Sequence, residues 1–326
     1  MIASVIIPSH NRPESIRRCL DALARQTLEP GTFEVIVVDD GSSPPLSLDP
    51  AIWADAFPLT LLRQENTGPA GARDRGVREA RAELLAFTDD DCLPTPGWLS
   101  GLAAAHTRAP SALLGGSTFN GLPNNMGAET SQIILDLVYE HFNRGEEAYF
   151  FASNNIACRR DAYIACGGFD AGFPWAAAED RDFCDRWRMQ KMPMVHVPEA
   201  RLEHRHGQNL WQFLRMHYRY GRGAHLYQRM RKKRQSGTMR EDLGFHATLW
   251  PGIRRRLAGR SLSYKLRVGL RLAGWQVANA CGFFREAIGR RLAGRRMETK
   301  LMESREKAVR APAPPAEAPS QKTQRR

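Results

Sequence analysis

Four short runs, "SVIIP" (4–8), "FEVIVVDD" (33–40), "LTLLR" (59–63) and "ELLAFTD" (83–89), are dominated by Val, Ile, Leu or Phe and then break off into polar residues. Runs so brief and so apolar suit strands covered on both faces, which is the environment of a parallel sheet. Between them lie helical stretches. Residues 13–26, "PESIRRCLDALARQ", open with Pro at a first-turn position and repeat apolar side chains at Ile16, Leu20 and Leu23, and 69–82 has a similar helical composition. The alternation predicts an α/β fold with a mostly parallel sheet flanked by helices, whose ligands bind at the carboxyl ends of the strands.

Three polar clusters fall at those ends: "PSHNR" after the first strand, "DDGSS" after the second and "TDDDC" after the fourth. Adjacent ionised carboxylates repel, so Asp89, Asp90 and Asp91 are tolerated at a solvated turn or around a cation. Carboxylates from separate strands meeting in one crevice favour a cation or the polar groups of a nucleotide over a plain turn. "GPAGARDRG" (68–76) precedes a helix but matches neither the dinucleotide nor the P-loop pattern. Phosphate would then be neutralised by a divalent ion on the hard oxygens of Asp89 and Asp91.

The 326 residues, 42% hydrophobic and 25% charged, are globular in make-up and enough for one large domain or two modest ones. The formal charge of +12 is unevenly placed. Residues 1–200 carry 17 Lys and Arg against 27 Asp and Glu, whereas 201–326 carry 30 against 8, a balance of +22. A basic third of this kind suits an anionic membrane surface or nucleic acid. Cys19, Cys92, Cys158, Cys166, Cys184 and Cys281 show no repeated metal-ligand spacing and read as reduced thiols of a cytoplasmic protein. Pro8, His10, Asn11 and Arg12 cut the first apolar run short, so the opening reads as a strand and not a secretory signal.

Taken together, "SVIIPSHNRPESIRRCLDAL", "FEVIVVDDGS", "NTGPAGARDRG" and "LLAFTDDDCLPTPGWL" resemble the nucleotide-binding half of family 2 glycosyltransferases of the GT-A fold. "ASNNIACRRDAYIACGGFD", "AAAEDRDFCDRWRM" and "VHVPEARLEHRH" resemble the acceptor-side half. The similarity implies a GT-A domain over 1–225, with halves 1–110 and 111–225; composition and spacing add a basic amphipathic helical extension over 226–310 and a disordered tail over 311–326, too poor in large apolar groups to fold. It implies an inverting, metal-dependent transfer from a nucleotide-sugar donor to a carbohydrate or lipid-linked acceptor, as in surface polysaccharide or glycolipid assembly. The other class weighed is a non-catalytic sugar-nucleotide or nucleic-acid binder that keeps the fold.

Carried over residue by residue, the resemblance makes Asp91 a ligand of Mn²⁺ or Mg²⁺ and sets Asp89 at the ribose or a metal-bound water. It sets Pro8, His10, Asp39, Asp40 and Arg73 around the nucleotide. Asp74 departs from the usual Asn. Asp180 would be the general base and Glu179 would position the acceptor, although either carboxylate at a helix start also serves as a cap. His204 is the expected further metal ligand, with His206 pointing the same way on a strand "RLEHRH". Gly167 and Gly168 suit a turn with positive φ. Trp175 would line the acceptor site or the core, and Asp182 and Asp185 would pair with Arg186 and Arg188.

In the last third, "FLRMHYRYGRGAHLYQRMRKKRQ" (213–235) reads as a helix resting on the catalytic domain, which makes nucleic acid the weaker partner. From Leu262 to Leu292, Leu266, Leu270, Val277, Phe284 and Ile288 recur at helical spacing among arginines. The longest uncharged run, Leu272 to Phe284, has 13 residues, short of the roughly 20 that cross a bilayer. The segment is therefore expected to lie on the inner face of the plasma membrane, with Trp275, Phe283 and Phe284 entering the interface, or to pack on the domain.

Overall fold

The structure, a computed structural model, describes residues 1–143, 148–173 and 177–310, with side chains at 240–243, 247 and 291–310 left aside. Trp175 and the tail 311–326 lie outside the described residues. One compact unit runs from Met1 to Phe284, and Arg285 begins a second.

The four apolar runs form β1 (Ala3–Ser9), β2 (Phe33–Asp40), β3 (Leu59–Gln64) and β4 (Leu84–Thr88). They are parallel in the order β3-β2-β1-β4. Alternate side chains of β1 and β2 serve two cores. Val5, Ile7, Val35 and Val37 meet Ile16, Leu20 and Leu23 of α1 (Pro13–Leu23), while Ile6, Ile36 and Val38 meet Ala70, Ala72 and Val77 of α2 (Gly68–Glu79). Both helices end about three residues before the periodicity suggests; the backbone of Ala80 is already extended at φ −63°, ψ 133°. Gly76 lets α2 lie close on β1, since a Cβ there would sit 2.5 Å from Ile6 Cγ2.

The rest of the sheet is mixed. β5 (Cys92–Pro94), β6 (Leu113–Asn120), β7 (Asn155–Arg159) and β8 (Met194–His204) complete the order β3-β2-β1-β4-β7-β6-β8-β5. β7 runs antiparallel to β4 and β6, and β5 antiparallel to β8. α3 (Trp98–Arg108) covers one face with Trp98 and Leu102, and α5 (Arg160–Ala165) and α6 (Glu179–Met189) cover the other.

α4 (Met126–Phe142), α7 (Leu210–Arg234), α8 (Met239–Leu257) and the start of α9 (Leu262–Arg310) enclose a separate apolar cluster. The expected boundary at 225/226 falls inside α7, and the compact unit continues to Phe284. Trp275, expected at a membrane interface, is 5% exposed and packs with Phe213, Phe245 and Leu272.

Asn155 is fully buried and joins the two halves: its Oδ1 accepts from Trp98 Nε1 at 2.8 Å and its Nδ2 donates to the Ala200 carbonyl at 3.1 Å. Asn155→Ala leaves a buried donor and a buried acceptor unpaired, and should lower unfolding free energy by about 2–4 kcal/mol with an unchanged denaturant slope. Urea titration checks this; a loss below about 1 kcal/mol would mean that water or a shifted partner takes over.

Candidate functional site

The crevice lies where the strand order reverses, beside β1 and β4, and the three polar clusters do converge there. β4 ends at Thr88, and a turn closed by Cys92 N donating to Asp89 O carries the three carboxylates. Their partners differ, except that Arg12 is shared by Asp90 and Asp91. Asp89, on the accessible side, accepts from Arg73 Nη2 at 2.5 Å. Asp90 turns back to β1 and accepts from Ser9 Oγ at 2.8 Å and Arg12 Nη1 at 3.0 Å; burial pushes its pKa up to about 6 against the pull of Arg12.

Asp91 is buried and turns toward the end of β8. The pairing of β5 with β8 sets Cys92 opposite His204, which brings His204 Nε2 to 3.3 Å from Asp91 Oδ1. The strand ends there, yet His206 in the following loop still places Nδ1 2.9 Å from Asp91 Oδ2, its ring stacked on His204 at 5.6 Å. Both histidines therefore reach Asp91. Arg12 Nη1 adds a contact at 2.8 Å. Burial alone would raise the Asp91 pKa, but His204, His206 and Arg12 together hold it well below the usual carboxylate range.

Among the described residues, the ligand atoms of Asp91, Cys92 and His204 come within 4.8 Å of one another. Burial pushes the Cys92 thiol up, so the thiolate form is disfavoured and the usable donors are carboxylate oxygen and imidazole nitrogen. That donor set fits Mn²⁺ or Mg²⁺ better than a thiophilic ion.

Asp39 and Asp40 are both buried and engaged in the crevice wall. Asp39 accepts from Ser42 N at 2.9 Å, Leu46 N at 3.0 Å and Arg63 Nη1 at 3.3 Å. Although burial opposes it, these donors lower its pKa. Asp40 accepts from Gly68 N and Gln64 Nε2 at 2.8 Å and from Thr67 N at 2.9 Å, anchoring the start of α2. His10 is exposed beside them, with Nδ1 2.8 Å from the Asp40 carbonyl oxygen, while Pro8 is buried in β1 opposite Val38.

Arg73 is the connection across the crevice. Fully enclosed, it reaches Asp89 with one terminal nitrogen and approaches Glu179 Oε1 at 3.7 Å with the other, its guanidinium 5.2 Å over the Phe169 ring. Asp74 instead receives the Tyr163 hydroxyl at 2.5 Å and ties α2 to the Gly167–Gly168 turn, where φ is 84° and 61°.

Glu179 and Asp180 open α6 after Ala178, which takes φ 72°. Glu179 is 4% exposed, and its Oε2 has no hydrogen-bond partner among the described residues. Asp180 is half-buried and accepts from Arg181 N at 2.8 Å. Burial raises the pKa of both, and the neighbouring charge of Asp180 raises Glu179 further. The rest of the helix is held from outside: Asp182 pairs with Arg186 and Arg234, each at 2.8 Å, and Asp185 pairs with Arg234 at 2.7 Å. Arg188 is not the partner of Asp185; it stacks on Tyr149 at 3.7 Å.

Arg12 and Tyr220 are candidate site residues that the sequence reading passed over. Arg12 had a signal, a lone cation in the polar cluster facing three adjacent acids. Tyr220 had none beyond an aromatic-basic helix. Although Tyr220 is 40% exposed, burial around its hydroxyl and then the charges of Asp180 and Glu179 push that hydroxyl's pKa up.

The profile of the glycosyl transferase family 2 matches residues 4–167, half of the sequence. Validoxylamine A glucosyltransferase of Streptomyces hygroscopicus subsp. limoneus is 29% identical over 228 residues, 61% of this chain and 50% of that one. The pre-mycofactocin glycosyltransferase of Mycobacterium tuberculosis is 27% identical over 230 residues, 68% of this chain and 46% of that one. The chain thus spans about half the length of these curated relatives. The mannosyltransferase PcManGT from Pyrobaculum calidifontis, solved in complex with GDP-Man and Mn²⁺, shares the fold with a TM-score of 0.60 at 18% identity, over 88% of this chain and 86% of that one. The profile match over half of the sequence places this chain in the glycosyl transferase family 2, to which it belongs.

Proposed function

We propose that the chain moves a sugar from a nucleotide-sugar donor to an acceptor hydroxyl, with Mn²⁺ or Mg²⁺ and inversion at the anomeric carbon. The observation that carries this reading is the bridge Asp89–Arg73–Glu179, which joins the acidic turn to the carboxylate pair formed by buried Glu179 and half-buried Asp180. Asp91, Asp89 and His204 would hold the ion, which when bound would offset the charge growing on the diphosphate leaving group. For Asp91 to serve, Arg12 must give up its contact and is free to turn toward a phosphate, being 43% exposed. His10 offers its ring to the base beside the wall built by Asp39 and Asp40. Asp180 takes the proton from the acceptor hydroxyl, its affinity for that proton raised by burial. Glu179, held by Arg73, positions the acceptor. No covalent nucleophile is required, and a single displacement gives inversion.

The acceptor class we infer is a carbohydrate or lipid-linked hydroxyl in surface polysaccharide or glycolipid assembly, presented on the cytoplasmic side of an anionic membrane. Residues 201–326 carry a balance of +22, and no described helix is long and apolar enough to cross a bilayer.

Asp180→Asn should leave Mn²⁺-dependent donor affinity near wild type while transfer falls by about two to four orders of magnitude, measured by calorimetry and product formation. Near-normal turnover would move the base to Glu179.

The rate of the wild type should rise with pH through a value above the ordinary carboxylate range of about 4, because only the ionised base accepts a proton and burial raises its pKa. A pH-rate profile flat above about pH 5 would contradict this assignment.

Arg73→Met strands Asp89 and Glu179 without their shared cation and should destabilise the fold by about 3–5 kcal/mol. Arg73→Met with Glu179→Gln should recover part of that loss in a double-mutant cycle; strict additivity would deny the bridge.

A further inference from the structure

The first six turns of α9 are apolar on two opposite sides. Val268, Leu272 and Trp275 face the cluster shared with α4, α7 and α8 and are at most 6% exposed. Leu262, Leu266, Leu270, Val277 and Phe284 are 58–73% exposed. At 100° per residue, Leu266, Leu270, Val277 and Phe284 fall within about 40° of one another and roughly 180° from Val268. A surface helix has no reason of its own to carry such an outer stripe, about 33 Å long between Leu262 and Phe284.

The neighbouring helix adds to it. Trp250 on α8 is 66% exposed and stands at the lip of an apolar cavity of about 580 Å³ between α8 and α9. Ile253, Leu257 and Leu272 line that cavity, and Arg254 and Lys265 stand on its rim. From residue 243 to 284 there are seven Lys and Arg and no Asp or Glu. Arg255 and Arg256 bind Glu140, which leaves Arg254, Arg260, Lys265 and Arg267 exposed around the stripe.

Charge and shape together select the occupant. A second copy would set two such cationic faces against each other with no acid between them. A nucleic acid would satisfy the cations but leave five large apolar side chains against phosphate and water. An anionic bilayer satisfies both, because apolar side chains enter the interface while arginines and lysines stay at headgroup depth. We propose that the outer stripe of α9, with Trp250 and the adjoining cavity, is the face that docks on an anionic lipid bilayer, the cavity receiving an acyl chain. The proposal rests on the membrane-side reading given above and assigns it to particular residues.

The test is flotation of the full chain with vesicles of phosphatidylcholine and phosphatidylglycerol in equal parts, alongside vesicles of phosphatidylcholine alone. The wild type should float with the anionic vesicles and release as salt rises. Leu266→Asp/Leu270→Asp/Val277→Asp should melt as the wild type does and lose about tenfold or more in lipid partition. Trp250→Phe should keep binding but remove most of the blue shift in fluorescence seen on adding vesicles. If the triple variant floats like the wild type, the face is wrongly assigned although the membrane reading stands. Failure of the wild type to float overturns both, and leaves the donor chemistry, read separately by nucleotide-sugar binding, intact. A dimer in sedimentation without lipid that the triple variant abolishes would make a second copy the occupant and overturn the proposal.

Discussion

Three ionised carboxylates on consecutive residues repel strongly once a fold draws them out of water, and the protein manages that repulsion by giving each its own partners and setting one shared cation between two of them. Asp89 reaches Arg73 on α2, Asp90 turns to Ser9 at the end of β1, Asp91 meets His204 at the end of β8 and His206 just after it, and Arg12 contacts both Asp90 and Asp91. These partners come from different parts of the chain, so this one turn ties the parallel half of the sheet to its mixed half. The same division explains the site's chemistry: a cluster with excess negative charge and imidazole beside it is ready for a divalent ion.

Arg73 extends the arrangement. A buried guanidinium is tolerable only with anions on both sides, and Asp89 and Glu179 provide them. The consequence is mechanical coupling between the turn that carries Asp89 and the start of α6, whose later turns are clamped by Arg234 through Asp182 and Asp185. Asp180, the proposed base, is therefore carried on a helix fixed at both ends of its first two turns.

The parallel half was open to reading because β-branched runs covered on both faces have a signature that depends on local sequence alone. β2 falls on Phe33–Asp40, the span the run itself marks. β6 offered no such signal. Its "LLGGSTFN" carries Gly115 and Gly116, poor strand formers kept because Phe151 and Asn155 press against them, a requirement invisible until the fold exists. Pairings were missed for the same reason: Asp185 finds Arg234 across 49 residues, not Arg188 three residues on. His206 was legible as pointing with His204, but not as reaching Asp91 from beyond the strand end. In the basic third, spacing marked a helix with apolar residues among arginines, but only packing separates Trp275, which is buried, from Phe284, which is not.

The proposed function stands on the acidic crevice binding a nucleotide-sugar through a divalent ion. A thermal-shift screen of sugar nucleotides, run with Mn²⁺ and again with excess chelator, tests this most directly. The account predicts that at least one donor raises the melting temperature in Mn²⁺ and that the shift disappears on chelation. A donor that stabilises the chain equally in chelator would contradict it.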